Sequence, residues 1–339
     1  MRDVYGILEV VVQKDTCTGP AGSGTLEEFT PLWVRYIYQH DGFNNVDCAE
    51  VNRELALWAV ANERRHWKSG EIEKIRCDPS MVGRLAKSGG GVQAGLCGET
   101  VIDRGLERAL RRLNEMAVCG INAFTLASPD YPGRLSSIPD PPLVLYSVGT
   151  VSVFDGCVAV SGMREPSEWG LRTAKRLGAA LAKEGWIVTS GLARGIDTAV
   201  HRGALSVAAG QTVAVSALPL DRVYPPENLE LARGIIRRGA LVTEHALRND
   251  TGKVSFLRRN RIISGLSFAQ FIVETSGKGG TRRQAEHALS QGRPLYVMEP
   301  PATEIGASAG FGEMILLGAK PCSDVEEAIA IARVFGPHG

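Results

Sequence analysis

Apolar runs and helical patterns alternate along the chain from Val158 onward. The apolar runs predict strands buried on both faces, over 158–161, 186–188, 212–217, 240–244, 268–275 and finally 294–298. Between them, apolar side chains recur at three- and four-residue steps and predict helices over 168–183, 196–209, 229–238 and 282–291, with another over 324–334. This order predicts an α/β fold, a doubly wound, mostly parallel sheet with helices on both faces.

The first 120 residues follow a different pattern. Helical spacing appears over 47–68, with Asp47 as the N-cap, and over 102–117, whereas residues 7–12 predict a short strand. Small residues at 18–25 and 88–91 predict loops. We therefore predict a small, mostly helical N-terminal domain over residues 1–120.

A proline-rich segment separates this region from the alternating pattern. Residues 121–126 predict a strand, and five prolines fall within 128–146. Because proline fixes φ and lacks an amide hydrogen, this density predicts an extended connector without helix. We place the domain boundary here, with a connector over 121–150 and a core domain over 151–336.

Composition narrows the class of protein. The 339 residues carry a net charge of +1, and the seven cysteines are an odd number without zinc-type spacing. We therefore expect reduced thiols, no metal and a cytoplasmic location. The sequence shows no run of 18 apolar residues and no signal-peptide pattern, so we expect no membrane contact.

Positive charge is concentrated near the end of the alternating pattern. Residues 258–293 contain seven lysines and arginines against two carboxylates. Such a cluster indicates an anionic ligand, and the alternative is a solvated basic face.

Three glycine-containing turns follow predicted strands: SGMR at 161–164, SGLARG at 190–195 and SGKGGT at 276–281. The carboxyl ends of parallel strands lie at one edge of a sheet, so the turns should converge. Arg164, Arg194 and Lys278, with Arg282 beside it, add cations to backbone N–H groups, and that combination suits phosphate. The alternative is that these are plain strand-to-helix turns that need small residues. Neither a dinucleotide-binding fingerprint nor a Walker A motif is present.

Candidates for catalysis are sparse. Asp197 and His201 are four residues apart on a predicted helix, and we interpret them as local helix support or packing rather than an acid–base pair. Glu244, at a strand end, is the best lone carboxylate, with capping or pairing to an arginine as the alternative role. We predict no catalytic residue and no enzymatic activity.

The order of these motifs resembles the DNA-processing protein A family, also called Smf. The resemblance rests on DYPGRLSSIPDPPLVLY, SGMR, TSGLARGIDTAVHRGAL, GQTVAVSALPLDRVYPPEN, ALVTE, RRNRIISGLS and SGKGGTRRQAEHALSQGRPLYV, between about residues 121 and 320. It implies an extended Rossmann-like fold, homodimerisation, sequence-independent binding of single-stranded DNA, protection of that DNA in transformation, and its delivery to the RecA recombinase. It also implies that no cofactor is bound.

The resemblance extends to individual positions. It matches Arg164 with the family's phosphate-contacting arginine, and it matches the SGLARG and Gly280–Thr281 turns with the other phosphate-binding loops. The RNR stretch beside the pocket corresponds to residues 259–261, and we expect Arg258 to Arg261 to add a rim to the site. The predicted phosphate-binding residues are Ser161, Gly162, Arg164, Ser190, Gly191, Arg194, Gly195, Arg259, Asn260, Arg261, Lys278, Gly280 and Thr281.

Two other functions compete with this one. The last turn resembles the PGGxGTxxE loop of the lonely-guy phosphoribohydrolases, which cleave nucleoside monophosphates. Gln284 stands at the position of the expected catalytic carboxylate, however, and Glu286 comes two residues late. The other alternative is a sensor that binds a small nucleotide in the same pocket and signals through residues 1–120.

Overall fold

A single mixed sheet forms the centre of the computed structural model, which describes residues 53–63, 69–78, 81, 98–150, 154–249 and 251–336. Several predicted features lie outside the described residues: the strand at 7–12, the loops at 18–25 and 88–91, and the N-cap Asp47. In the described part of the chain the sheet has nine strands in the order β1-β2-β6-β5-β4-β3-β7-β8-β9. The strands are β1 (Asn122–Thr125), β2 (Val144–Gly149), β3 (Cys157–Ser161), β4 (Ile187–Ser190), β5 (Thr212–Val215), β6 (Ala240–Thr243), β7 (Gln270–Ile272), β8 (Leu295–Met298) and β9 (Lys320–Cys322).

The sheet is mostly parallel, as predicted. Strand β2 pairs antiparallel with β1 and β6, and all other neighbours are parallel. From β3 the chain proceeds outward through β4, β5 and β6, and it then returns to the other side of β3 with β7, β8 and β9. The strand order therefore reverses between β3 and β7, which in a doubly wound sheet opens a crevice at the carboxyl ends of these strands.

Helices cover both faces of the sheet. They are α1 (Arg53–Asn62), α2 (Ser69–Cys77), α3 (Gly98–Val118), α4 (Gly133–Ser136), α5 (Glu168–Lys183), α6 (Ile196–Leu205), α7 (Leu229–Arg238), α8 (Lys253–Leu266), α9 (Gly279–Ser290), α10 (Ile305–Leu317) and α11 (Val325–Phe335). None of these described helices is both long and apolar enough to cross a membrane.

The strand β3 shows why the apolar runs have no polar alternation. Val158 and Val160 pack with Leu177 of α5 on one face. Cys157 and Ala159 pack on the other face with Ile262 of α8. Because both faces are covered, every position of β3 is buried, which is the usual condition of a central parallel strand.

The structure differs from the prediction in several details. The segment 294–298 is not the last strand, because β9 follows; its Pro321 is a residue that sheets tolerate at an edge. The proline-rich segment contains one helical turn, α4, which fits because it lies between Pro132 and Pro139. The apolar spacing predicts no element over 253–266, where the structure has α8.

The described N-terminal helices are in contact with the sheet. Trp58 of α1 and Leu113 of α3 lie in one apolar cluster with Tyr146 of β2 and Ile235 of α7. The Asn62 Nδ2 donates to the carbonyl of Glu244 at 2.7 Å, which ties α1 to the end of β6. The division of the chain into an N-terminal domain, a connector and a core domain stays a prediction.

Candidate phosphate-binding site

The first turn, at the end of β3, is packed closely against its neighbours. The buried Ser161 Oγ accepts a hydrogen bond from Gln270 Nε2 at 3.0 Å. A Cβ added at Gly162 would lie 2.7 Å from the carbonyl oxygen of Glu274, so no larger residue fits there without a shift. Arg164, two residues further on, is exposed. The turn is thus fixed in the sheet edge while its arginine faces solvent.

The second turn joins β4 to α6. Its Ser190 Oγ donates to the carbonyl of Val160 at 2.7 Å, which holds the turn to β3. Gly195 has φ of 73°, a left-handed value that glycine adopts without strain, and a Cβ there would lie 2.6 Å from the carbonyl oxygen of Arg164. The Ile196 amide donates to the carbonyl of Met163 at 3.1 Å. The second turn therefore lies directly against the first.

The third turn begins α9. Thr281 Oγ1 donates to the carbonyl of Gly162 at 3.1 Å, which joins this turn to the first one. Lys278 and Gly280 are exposed and line an open pocket of about 630 Å³. The pocket is bounded by Leu257, Gly277, Lys278, Gly279, Gly280, Arg282, Arg283, Glu286 and Glu313.

These hydrogen bonds bring the three turns together, as the strand order predicts. Within the described parts of the chain, Arg164 and Lys278 have no side-chain hydrogen bond or ion pair, so their charges are available to a ligand. Arg194 is also exposed but forms an ion pair with Glu227. The assembled edge therefore presents three cations above backbone N–H groups at the starts of α6 and α9, an arrangement that attracts phosphate.

The RNR stretch lies beneath the turns rather than on the expected rim. Arg259, Asn260 and Arg261 of α8 are each at most 6% exposed. Arg259 Nη1 donates to the carbonyl of Gly191 at 2.5 Å and also to that of Val215. Asn260 Nδ2 donates to the carbonyl of Gly280 at 3.1 Å. These two residues support the second and third turns from below, and their participation in ligand binding stays a prediction.

Arg261 is held by two carboxylates. Its Nη2 lies 2.7 Å from Glu244 Oε2, and its Nε lies 3.0 Å from Asp140 Oδ2. Burial alone would raise the pKa of Glu244, but the charges of Arg261 and Arg258 overcome that effect and leave the pKa below its usual value. Burial opposes the charge of Arg261 as well, yet the two carboxylates raise the pKa of its guanidinium. Pairing with an arginine, one of the predicted roles of Glu244, is therefore what the structure shows.

A second buried group lies around Arg259. Burial lowers the pKa of this guanidinium to about 10, while Asp197 opposes the shift. Burial raises the pKa of Asp197, against the effects of Arg259 and of the Ala193 amide, which donates to Asp197 Oδ2 at 3.2 Å. His201 does not pair with Asp197; its Nδ1 lies 2.7 Å from Thr212 Oγ1. Burial and the charge of Arg259 lower the pKa of His201 to about 3, so the imidazole is neutral and has a packing role.

Residues outside the predicted set complete the edge. Asn228 is buried, and its Nδ2 donates to the carbonyl of Leu192 at 2.9 Å and to Thr198 Oγ1 at 2.8 Å. Gln284 Nε2 donates to Gln270 Oε1 at 3.1 Å, which extends the contact of Gln270 with Ser161. These side-chain amides are uncharged and lie outside the glycine-containing turns, so the sequence gives no signal for them. Only the structure shows that they hold the turns in place.

The comparisons with known proteins agree with this architecture. The profile of the DNA recombination-mediator protein A family matches residues 122–333. The chain belongs to this family. DNA processing protein DprA of Bacillus subtilis is 34% identical over 210 residues, covering 61% of this chain and 70% of that protein. Protein Smf of Synechocystis is 34% identical over 202 residues, and the match covers only 50% of its length.

Solved structures of the family share the fold. DNA processing protein A of Helicobacter pylori, described for its mode of single-stranded DNA binding, aligns with a TM-score of 0.57 at 26% identity, over 64% of this chain and 97% of that one. The Streptococcus pneumoniae DprA structure aligns with a TM-score of 0.65 at 24% identity, over 82% of this chain and 97% of that one. The fold is thus the extended Rossmann-like architecture of these proteins, and the family assigns the chain a role in DNA processing.

Proposed function

We propose that the edge formed by the three turns binds single-stranded DNA without sequence preference. Backbone N–H groups and cations contact phosphate oxygens, which every nucleotide carries, so such a site reads no base sequence. The observation that carries this proposal is that hydrogen bonds hold the three turns together. Arg164 of the first turn and Lys278 of the third turn are both exposed at this joined edge. The Helicobacter pylori relative, whose structure is described for its mode of single-stranded DNA binding, supports the choice of ligand.

We further propose the roles that the resemblance implies. The protein protects single-stranded DNA in the cytoplasm during DNA uptake and recombination, acts as a homodimer, and delivers the DNA to RecA. It needs no cofactor and no catalytic turnover for this work. Sedimentation of the protein alone, and its co-sedimentation with RecA on oligo-dT, test the dimer and the delivery step separately from DNA binding.

The structure disfavours the phosphoribohydrolase alternative. Gln284, which occupies the position of the expected carboxylate, is buried and its amide donates to Gln270. Glu286 lies 3.2 Å from Arg282 Nε and 3.5 Å from Arg283 Nη1, so neighbouring cations engage this carboxylate. Neither residue is arranged as a free base in the pocket.

Fluorescence anisotropy of labelled oligo-dT across a salt series tests the proposed function. Replacing Arg164 by alanine removes one charged phosphate contact, which we expect to weaken binding roughly tenfold or more. The slope of log affinity against log salt should also fall by about 0.7, the value for one phosphate of a single strand. Arg333→Ala is the matched control, because Arg333 pairs with Glu184 at the far end of α5.

The result that overturns the proposal is equally specific. If the wild-type protein does not bind oligo-dT at low salt, single-stranded DNA is not the ligand. A thermal-shift panel of nucleotides then tests the sensor alternative on the same pocket. If Arg333→Ala weakens binding as much as Arg164→Ala, the contact is a general charge effect and does not map to the three turns.

A further inference from the structure

The loop between β5 and α7 places a carboxylate at the second turn. Asn228 anchors this loop, because its buried side chain bonds the carbonyl of Leu192 and the hydroxyl of Thr198. Glu227 is the residue just before Asn228, in the short 3-10 turn Pro226–Asn228 that follows Pro225. Prolines restrict φ, so the backbone that carries Glu227 is fixed by neighbours on both sides. The backbone position of Glu227 is therefore set by the fold.

Glu227 Oε1 accepts a hydrogen bond from Arg194 Nε. The two side chains remain half exposed, at 49% for Glu227 and 61% for Arg194. The hydrogen bond to Arg194 lowers the pKa of Glu227, and the same contact raises the pKa of Arg194, so both groups are charged at neutral pH. In this structure the Glu227 carboxylate is thus paired with Arg194, the cation of the second turn.

The other two turns differ from the second in this respect. Within the described residues, the exposed Arg164 and Lys278 side chains have no carboxylate partner. A phosphate can reach them without competing with any carboxylate, whereas at Arg194 it meets Glu227, which already accepts a hydrogen bond from Nε. An arginine guanidinium has several donors, but a carboxylate on Nε and a phosphate compete for the same charge.

We infer that Glu227 occupies a phosphate subsite at Arg194 and limits the affinity of the site for single-stranded DNA by competing with the incoming phosphate. The inference rests on the proposed function. In the bound state Arg194 leaves Glu227 and pairs with the DNA backbone. A residue that limits the affinity is then an acidic one, on a loop outside the three turns.

A double-mutant cycle in binding tests the inference. Oligo-dT affinity is measured by anisotropy for the wild type, Glu227→Gln, Arg194→Ala and the double variant at low salt. Exposed ion pairs contribute about 0.2–1 kcal/mol, which corresponds to roughly 1.5- to 5-fold in affinity. We expect Glu227→Gln to tighten binding by that factor more in the wild-type background than in the Arg194→Ala background.

Glu230→Gln is the matched control for removal of one negative charge. Glu230 is 79% exposed on α7 and pairs with Arg233, so it has no link to Arg194. Its replacement should change affinity equally in both backgrounds. Thermal unfolding of each variant checks that the exposed substitutions leave the fold intact.

Three outcomes overturn the inference. Equal gains from Glu227→Gln in the wild-type and Arg194→Ala backgrounds mean that the ion pair persists in the complex. No gain from Glu227→Gln means that no competition exists. A gain from Glu230→Gln as large as that from Glu227→Gln in the wild-type background means a general charge effect. In each case wild-type binding and its loss in Arg164→Ala would leave the proposed function standing. Absence of wild-type binding would refute both.

Discussion

Replacing Arg261 by methionine should destabilise the protein strongly, because it leaves a buried carboxylate without its counter-charge. The Arg261 side chain is 5% exposed and that of Glu244 is 9% exposed. Methionine keeps most of the volume of the arginine but removes both bonds to Glu244, at 2.7 and 3.2 Å. Breaking a buried pair by removing one partner costs about 3–5 kcal/mol.

The expected change in melting temperature follows from the size of the chain. An unfolding entropy of about 2.1 cal/mol/K per residue gives roughly 0.7 kcal/mol/K for 339 residues. A loss of about 3–5 kcal/mol therefore lowers the melting temperature by roughly 4–7 °C. Calorimetry of the wild type and the variant measures this change in melting temperature. Arg283→Met is the control for replacing an arginine by methionine, because the Arg283 side chain is 66% exposed.

The loss should also depend on pH. In the wild type the pKa of Glu244 is lowered, so its contribution is present above the ordinary glutamate pKa and is lost as pH falls through the lower folded value. In Arg261→Met, burial is no longer opposed by Arg261 and the folded pKa rises above the unfolded one. The deficit of the variant is then larger at pH 8 than at pH 5.

A second substitution separates the charge effect from a packing effect. Glu244→Gln in the Arg261→Met background removes the unpaired charge and should recover a large part of the lost stability. A loss of unfolding free energy below about 1 kcal/mol in Arg261→Met would refute the reasoning, because a buried unpaired charge destabilises a protein by more than that. No recovery of stability in the double variant would refute it as well.

Two further predictions concern the buried histidine and a turn glycine. The pKa of His201 is lowered to about 3, so between about pH 6.5 and pH 3 the unfolded chain binds a proton at this residue and the folded protein does not. The free energy of unfolding should therefore fall by up to about 1.4 kcal/mol for each unit that the pH drops in this range. Urea titrations measure this slope, and His201→Gln should remove it. Gly195→Ala should cost about 1–2 kcal/mol for its positive φ plus the clash with the Arg164 carbonyl, and it should weaken oligo-dT binding. Gly185→Ala, with φ of +83° and no atom within 4 Å of the added Cβ, should show only the first cost and normal binding; equal behaviour of the two variants would refute the close packing of the turns.

The elements with strong local signals were predicted from the sequence. Helices α5 and α7 begin and end where the apolar spacing predicts. Ser167 caps α5 by accepting the amide of Gly170 at 3.1 Å, a signal contained within three residues of sequence. The convergence of the turns followed in the same way, since parallel strands align their carboxyl ends.

The RNR stretch could not be placed by the same means. Its charges predicted an exposed anion-binding surface, but Arg261 finds its carboxylates 17 and 121 residues away along the chain. Arg259 is satisfied by backbone carbonyls of β5 and the second turn, which leave no mark in composition. Because these polar residues fill buried positions of α8, the apolar periodicity that reveals other helices is lost there. Partners distant in sequence decide whether a cation is a ligand contact or a structural one.

The bond between Thr281 and Gly162 has a consequence for synthesis of the protein. These residues are 119 positions apart, and the bonds from Arg259 and Asn260 to the second and third turns span 68 and 20 positions. A chain emerging from the ribosome presents the first two turns long before residue 281 exists. It therefore carries the arginines of the proposed phosphate site without its geometry, and that site is complete only when α9 docks.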